Sequence, residues 1–321
     1  MKPVAEFVGG TEVMEATTMS ADGTHIERDS ALPTWFGIGG RADRLAHPAS
    51  VDDLRRLIGT DPDLRVLGDG ANLLVDDGGV GELVVSLSHK AFSSWSIDRA
   101  SGRVVAMAGA NLPKLILDTV RQGLAGLEGL GGIPATVGGA AIMNAGGSFG
   151  QIADAVTRIH AIARDGAAVV LERDEIDFSY RHSGLNTLVL TSVEFDLREE
   201  DPAALRARLK EVMEYKKRSQ PMSDRSAGCV WKNPALPHDL PDIGPKGERV
   251  SAGLLIDRAG CKGTRFGGAS VSPRHANFVV TELGSLAADV IELMEQTKRR
   301  VHQQFGVVLE PEVVIWKRSR E

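Results

Sequence analysis

Large apolar residues are few and show no period over residues 1–30, and they then recur with helix or strand spacing along the rest of the chain. We therefore interpret 1–30 as a polar leader. Within 31–90, apolar residues three and four apart follow Ser50, which predicts a short helix capped by that serine. We expect 31–90 to be a small α/β unit. Its predicted elements are a helix over 49–60 and strands over 65–67 and 83–87.

Residues 91–198 form a second predicted unit with more β-structure. A strand-like run precedes an amphipathic helix that Asn111 can cap and that Gly123 can end, since glycine is favoured just after a helix. A long glycine-rich stretch separates this helix from three further apolar runs. The expected elements are strands at 104–108, 157–163, 168–171 and 188–195 and a helix at 112–124.

Residues 199–310 are predicted to form a third unit that contains two long helices. The second of them, over 285–305, has apolar residues about four apart and ends before Gly306. The first, over 201–218, begins at Asp201-Pro202 and is expected to expose a basic face. That face consists of Arg206, Lys210, Lys216, Lys217 and Arg218. A C-terminal segment, 311–321, follows the third unit.

The composition is that of an ordinary globular protein, with 321 residues, 42% hydrophobic and 25% charged. A net charge of −6 gives no general electrostatic reason to bind nucleic acid. Two cysteines favour a reducing compartment, so we expect a cytoplasmic location. No run approaches the ~20 apolar residues of a membrane span, and the N-terminus lacks the apolar run of a signal peptide. No zinc-type spacing of Cys and His is present, and no metal is expected.

The 36 glycines are clustered in loops where backbone can pass close to a ligand. A Gly-x-Gly turn follows a predicted strand at 68–70, and 126–139 holds six more glycines. A helix that begins at Thr136 could offer its first N–H groups to a phosphate. The turn at 68–70 lacks the third glycine and long helix of a Rossmann fingerprint, which excludes that fold. From the residues alone, the alternatives are a simple tight turn at 68–70 and a buried crossover at 126–139.

Several blocks along the chain occur in a specific order. They are 34–40, 68–74, 132–146, 180–183 (Tyr180-Arg181-His182-Ser183), 226–234 and 251–278, with a closing match at 309–313. In this order they resemble the UDP-N-acetylenolpyruvoylglucosamine reductase family, and the resemblance spans about residues 31 to 316. Each block is a modest signal by itself, and it is their order that makes the resemblance specific.

This resemblance implies an α+β protein with a two-subdomain FAD-binding region of the vanillyl-alcohol-oxidase type and a C-terminal α/β substrate domain. The FAD-binding subdomains would be 31–90 and 91–198, the UDP-sugar domain 199–310, and 311–321 would carry the catalytic glutamate. The family reduces UDP-N-acetylglucosamine enolpyruvate to UDP-N-acetylmuramate for peptidoglycan, with NADPH reducing the flavin first. A monomer that binds a UDP-sugar and NADPH, and neither nucleic acid nor membrane, is expected.

The resemblance also implies which residues hold the ligands. The flavin would be bound by Gly68, Gly70, Ala71, Asn72, Leu73, Gly132, Ile133, Pro134, Thr136, Gly138, Gly139, Asn144, Ala145 and Gly146. These loops contain no His or Cys, so we expect the flavin to be noncovalent. Lys217, Asn233 and Lys262 match positions near the UDP-sugar, whereas His275 is interpreted as structural.

Three residues match the catalytic positions of the family. Arg181 would stabilise the substrate carboxylate as it gains charge, and Glu312 would stabilise charge or carry a proton, which requires a raised pKa. Cys229 stands where most members have a serine proton donor. Since a thiolate cannot donate, we predict that Cys229 is protonated at neutral pH and that turnover falls at alkaline pH. From the residues alone, these could be a surface ion pair, a loop carboxylate and a small buried residue, and Cys261 is assigned to the core.

Two departures from the family pattern affect the contacts near residue 33 and the covering of the substrate. Pro33 replaces the usual asparagine, and 183–190 is too short for the tyrosine-bearing loop that covers the substrate in some members. An FAD-dependent oxidase of a small alcohol or sugar on the same scaffold is the alternative function. A flavin- or nucleotide-binding regulator without catalysis is a third possibility.

Overall fold

The first sheet includes strands that precede the unit predicted at 31–90. The computed structural model describes residues 25–318 and the strand at 17–19. The elements are β1 (Thr17–Met19), β2 (His25–Ser30), β3 (Ala42–His47), α1 (Val51–Thr60), β4 (Arg65–Leu67), β5 (Leu73–Val75) and β6 (Val84–Ser86). Five strands pair in the order β1-β2-β3-β6-β4, antiparallel up to β3 and parallel beyond it.

The last six residues of the predicted leader are therefore part of this sheet. Ile26 pairs with Ala46 across β2 and β3, and both contact the largest hydrophobic core. Burial of this apolar position accounts for a strand in a segment whose composition is otherwise polar. The rest of the predicted leader, 1–16 and 20–24, lies outside the described residues.

Local sequence signals account for the helices that flank the first two units. The Ser50 side chain accepts a hydrogen bond from Asp53 N at the start of α1. The same arrangement caps the next long helix, where Asn111 accepts from Lys114 N and Gly123 ends the helix in the left-handed conformation. These helices pack on the core with the apolar faces that their periodicity predicted.

The second unit is built around an antiparallel sheet. Its elements are α2 (Lys90–Ser93), β7 (Trp95–Asp98), β8 (Arg103–Met107), α3 (Leu112–Gln122), β9 (Leu124–Ala125), α4 (Val137–Ile142), β10 (Gly146–Gly147), β11 (Gly150–Gln151), β12 (Val156–Ile162), β13 (Ala168–Glu172), β14 (Val189–Asp196) and β15 (Arg198–Glu199). The sheet order is β13-β12-β14-β8-β7. The glycine-rich stretch runs between α3 and β10, as the sequence predicted.

α5 (Pro202–Ser219), at the start of the segment predicted as the third unit, packs against α3 and β9 of the second unit and places Leu205 in the largest core. The elements that follow are α6 (Ala252–Arg258), β16 (Arg265–Phe266), β17 (Ala269–Val271), β18 (Val279–Thr281), α7 (Ala287–Phe305) and β19 (Val314–Trp316). They surround a second core that also includes Phe36 and Leu74 of the first unit, to which the C-terminal segment returns. β19 pairs in parallel with β5, Val314 beside Leu73. This pairing brings 311–313 next to the loop that precedes β5. Among the described residues, none of the helices has the length and hydropathy needed to cross a membrane.

Candidate active site

Arg181 and Glu312 form an ion pair in a cleft of about 250 Å³. Arg181 Nε lies 2.5 Å from Glu312 Oε1, and the Arg181 NH2 group donates a 2.9 Å hydrogen bond to the carbonyl of Gly146. Both side chains are mostly buried, with 20% and 13% of their surface exposed. Because two separate segments hold the guanidinium, its plane is fixed relative to the cleft.

The backbone of Arg181 is held in a sparsely populated conformation. Its φ is 56°, in the left-handed region, at the tip of a tight turn closed by two hydrogen bonds between Ser179 and His182. Asn144 is also left-handed, with φ 40°, and its buried amide donates to Ser179 O at 2.9 Å. A non-glycine residue pays roughly 1–2 kcal/mol for this conformation, so the surrounding bonds must hold it. Asn144, predicted to bind the cofactor, thus supports the turn that presents Arg181.

The first unit and the third unit together position Glu312. Its N–H donates to Val230 O at 2.8 Å, and its carbonyl accepts a 3.1 Å hydrogen bond from the Asn72 side chain. The Asn72 carbonyl in turn accepts from Val314 N. Asn72, predicted as a cofactor residue, therefore fixes the backbone of the glutamate. Burial raises the pKa of Glu312, and the charge of Arg181 offsets only part of that rise.

Cys229 lies beside this ion pair. Its backbone bridges to Phe278, and the next residue, Val230, is the one that accepts from the Glu312 N–H. Burial and the negative charge of Glu312 raise the pKa of Cys229 to about 12, although Arg181 opposes the shift. The thiol is therefore protonated at neutral pH, as the sequence predicted. The three predicted catalytic residues meet in one place.

Lys216, which the sequence interpretation placed on the solvent face of α5, lies within electrostatic reach of Arg181. Its ammonium donates a 2.6 Å hydrogen bond to Gly131 O, whereas the neighbouring Lys217 is exposed. Burial, with a smaller contribution from the charge of Arg181, lowers the pKa of Lys216 to about 8. Assigning Lys216 to the exposed face was therefore wrong. The helical period contained the signal, because Lys216 follows buried Val212 by four residues.

The predicted substrate residues are placed differently from one another. Asn233 borders the cluster through Tyr180, whose hydroxyl accepts from Asn233 N at 3.1 Å. The Asn233 side chain itself accepts from Ala252 N at the start of α6. Lys262 pairs with Asp257 at 3.0 Å on the surface. No described contact joins Lys217 or Lys262 to the Arg181–Glu312 pair. Lys232, which the sequence analysis did not assign, lines the cleft and acts electrostatically on Glu312.

The two glycine-rich loops lie against each other, and close packing explains their small residues. A Cβ on Gly68 would lie 2.9 Å from Thr136 Oγ1, and one on Gly70, where φ is 65°, would lie 2.1 Å from Pro33 O. A Cβ on Gly139 would meet only the Thr136 hydroxyl within 4 Å, so this surface is open backbone. Narrow, open backbone of this kind suits the close approach of a dinucleotide.

One expectation about these loops was wrong. The first N–H groups of α4 do not point free of the protein, because Val137 N donates to Ala110 O and Gly138 N to Ala108 O. Gly139 N donates to the Thr136 side chain. The first two of these amides are bonded to the turn between β8 and α3, and the third is bonded to Thr136. What this loop offers a ligand is therefore backbone without side chains rather than free N–H groups.

Comparisons with known proteins identify two families along the chain. The family "UDP-N-acetylenolpyruvoylglucosamine reductase, C-terminal domain" matches residues 220–316, and the family "FAD binding domain" matches 42–172. The UDP-N-acetylenolpyruvoylglucosamine reductase of Moorella thermoacetica is 38% identical over 289 residues, 88% of this chain and 90% of the relative. That of Rhodopseudomonas palustris is 37% identical over 309 residues, 94% of each chain.

A solved structure extends the similarity to the fold. The crystal structure of UDP-N-acetylenolpyruvylglucosamine reductase from Thermus caldophilus aligns with a TM-score of 0.76 and 39% identity. The alignment covers 91% of this chain and 99% of the other. The combination of an FAD-binding domain and a separate C-terminal domain expected from the sequence is therefore confirmed.

Proposed function

The chain belongs to the UDP-N-acetylenolpyruvoylglucosamine reductase family and is a flavoprotein oxidoreductase of peptidoglycan precursor synthesis; from this premise we propose that Arg181, Glu312 and Cys229 surround the reacting atoms of its UDP-sugar. NADPH is proposed as the electron source. The reaction adds a hydride to the methylene carbon of the enolpyruvyl group and a proton to the neighbouring carbon, and it yields UDP-N-acetylmuramate.

The residues around the two glycine-rich loops fit FAD. Gly68 and Gly70 let the two loops pack against Thr136 and Pro33, and Gly139 leaves backbone without a side chain beside the Thr136 hydroxyl, where a dinucleotide can approach closely. When bound there, the flavin supplies hydride transfer between NADPH and the substrate. The protein must supply the rest, which is to bind and orient the sugar nucleotide, stabilise the charge that develops and deliver one proton.

Arg181 is assigned to the charge that develops on the substrate. Addition of hydride places an electron pair on the carbon next to the carboxylate, which delocalises into the carboxylate oxygens. A guanidinium fixed by Glu312 and Gly146 can hydrogen-bond those oxygens without reorganising during the reaction. Glu312 holds the guanidinium and, with its raised pKa, can also share or relay a proton within the cleft.

Cys229 is assigned as the proton donor to the carbon. Its thiol stays protonated over the neutral range, so a proton is available at every turnover. The thiolate formed by donation has Arg181 nearby to stabilise it. A weak acid in a mostly buried position next to a fixed cation is suited to a single proton transfer followed by reprotonation from water.

Two lysines are assigned to the anionic parts of the substrate. Lys216 and Lys232 act electrostatically on Arg181 and Glu312 respectively. Neither takes part in an ion pair among the residues the structure describes, in contrast to Lys262. A mostly buried ammonium such as that of Lys216, with only a carbonyl partner, is costly until an anion reaches it. We assign Lys217 and Lys262 a secondary role at most.

The observation that carries this proposal is the Arg181–Glu312 pair with a protonated thiol beside it. The test is to load the purified protein with FAD, reduce it with NADPH and mix it with the enolpyruvyl sugar. We expect rapid reoxidation of the flavin by the sugar and formation of UDP-N-acetylmuramate. Reoxidation by oxygen alone would instead identify an oxidase, and failure to bind FAD would overturn the assignment of the loops.

A further inference from the structure

A second cluster of chemically active side chains lies on the first sheet, outside the cleft. His25 on β2 is directly opposite His47 on β3, and Glu27 is two residues further along β2. Positions two apart on a strand share a face, as do directly paired residues, so these three side chains lie on one face of the sheet. One ligand atom from each lies within 4.8 Å of the other two.

The spacing within the cluster matches that of a tetrahedral metal site. Glu27 Oε1 lies 3.2 Å from His47 Nε2. Two ligands bound to zinc at ~2.0–2.1 Å are about 3.3 Å apart in tetrahedral geometry. The rings of His25 and His47 are tilted, with centroids 5.6 Å apart, which places the third ligand beside the other two.

Two further observations point to a ligand. His47 Nε2 is buried, and its contact with Glu27 Oε1 at 3.2 Å does not have the geometry of a hydrogen bond, although a buried ring nitrogen normally makes one. Ser30 Oγ donates a 2.7 Å hydrogen bond to Glu27 Oε2, which orients the carboxylate and leaves Oε1 toward the histidines. Outer hydrogen bonds that orient a carboxylate ligand in this way are typical of metal sites.

We propose that His25, Glu27 and His47 bind one divalent transition metal ion of the zinc type. Two imidazoles and one carboxylate favour zinc over calcium or magnesium, which prefer oxygen ligands. Three protein ligands leave the fourth position for water. Bound metal would join β2 to β3 and so fasten the segment that precedes residue 31. No metal was expected because the sequence lacks zinc-type spacing of Cys and His. His25 and His47 are far apart along the chain, and only strand pairing makes them neighbours.

The test uses the full-length, FAD-loaded protein after treatment with a chelator. Zinc affinity is measured by competition with a chromophoric chelator, and cobalt is used as a spectroscopic probe. We expect one equivalent of zinc, visible ligand-field bands of tetrahedral cobalt, and a zinc-dependent rise in Tm. Glu27→Gln and His47→Gln should weaken zinc binding by at least ~100-fold, and Ser30→Ala by roughly 10-fold.

A matched control is His160→Gln. His160 also contacts a carboxylate, Glu194, at 2.8 Å, but that group is shared with two arginines and has no second histidine. Zinc affinity should be unchanged in this variant. Wild-type protein that binds zinc no better than Glu27→Gln would overturn the proposal, as would a near-ultraviolet thiolate band in the cobalt complex, which would assign the metal to a cysteine instead.

Discussion

Two mostly buried carboxylates, Glu194 on the second sheet and Glu312 in the cleft, each contact arginine, and their pKa values shift in opposite directions. Burial raises the pKa of Glu194, but hydrogen bonds from His160 and Arg103 and the charge of Arg158 outweigh it, so the pKa lies below its usual range. Glu312 has one arginine partner. The effect of burial is larger than that of Arg181, so the pKa of Glu312 is raised.

The difference shows that an ion pair does not by itself define the role of a carboxylate. Glu194 accepts hydrogen bonds from Arg103 on Oε2 and contacts His160 at Oε1, and its lowered pKa keeps it ionised at neutral pH, where it stabilises the sheet. Glu312 is bonded to arginine through one oxygen only, and its raised pKa favours the protonated form more than in Glu194. The number of cations that reach each carboxylate separates a structural site from a chemical one.

Replacing the arginine that contacts each carboxylate should separate the two regions, and Arg181→Lys is expected to have the largest effect on activity. Lysine cannot maintain both the bond to Glu312 and the bond to Gly146, so the substrate carboxylate loses its fixed partner. We expect kcat/KM for the enolpyruvyl sugar to fall by ~10³-fold in a steady-state NADPH oxidation assay. The matched change in the other region, Arg103→Lys, should leave kcat/KM unaltered. Equal losses in the two variants would contradict the assignment.

Exchanging each carboxylate for an amide should separate activity from stability. Glu312→Gln is expected to lower kcat by ~10²-fold, because a group that can share a proton is lost. Glu194→Gln should retain kcat but lower the free energy of unfolding by about 2 kcal/mol near neutral pH, measured by urea unfolding.

The pH dependence of these stability effects has opposite signs. The folded pKa of Glu194 is below its unfolded value, so its contribution is present above about pH 4 and is lost as the pH falls through the folded pKa. The folded pKa of Glu312 is raised, so its ionisation costs stability as the pH rises from about 4 through the folded pKa. If the free energies of unfolding of Glu194→Gln and Glu312→Gln changed with pH in the same direction relative to the wild type, the two carboxylates would not differ as described.

Lys216→Met tests whether a buried cation is kept for a ligand. We expect KM for the UDP-sugar to rise roughly 10-fold, while removal of a mostly buried, unpaired ammonium raises the free energy of unfolding by about 1–2 kcal/mol at pH 7. In the wild type, kcat/KM should fall above a pH of about 8, because Lys216 loses its charge there. Lys216→Arg should abolish that fall. A lower stability in Lys216→Met would argue for a purely structural lysine.

Cys229→Ser should have the smallest effect. A hydroxyl can replace the thiol as donor, so we expect kcat within ~10-fold of the wild type. Because the thiol pKa is about 12, its contribution to the alkaline fall lies near that pH, and below about pH 10 the two profiles should overlap. The same assay checks this assignment. If kcat/KM of Cys229→Ser no longer fell above about pH 8, the group that titrates there would be the thiol and not Lys216.

Local signals predicted much of the fold. The helices at α1 and α3 begin at Ser50 and Asn111 and bury the residues that their periodicity marked, because capping and amphipathicity act within a few residues. The same rule could have identified Lys216, but its charge was weighed above its position on the helix. His25–Ser30 was missed because this strand carries one large apolar residue, Ile26, and fully buries only Ser30, so its sequence shows no strand periodicity.

The amino-acid sequence by itself determined the helix ends, the glycine loops and the presence of Arg181, Cys229 and Glu312 as reactive groups. Only the tertiary structure decided that they meet, since β19 pairs with β5 and Asn72 holds Glu312 in place. It also decided which groups are charged. Ionisation depends on burial and on neighbours distant along the chain, and those are created only when the three units pack together.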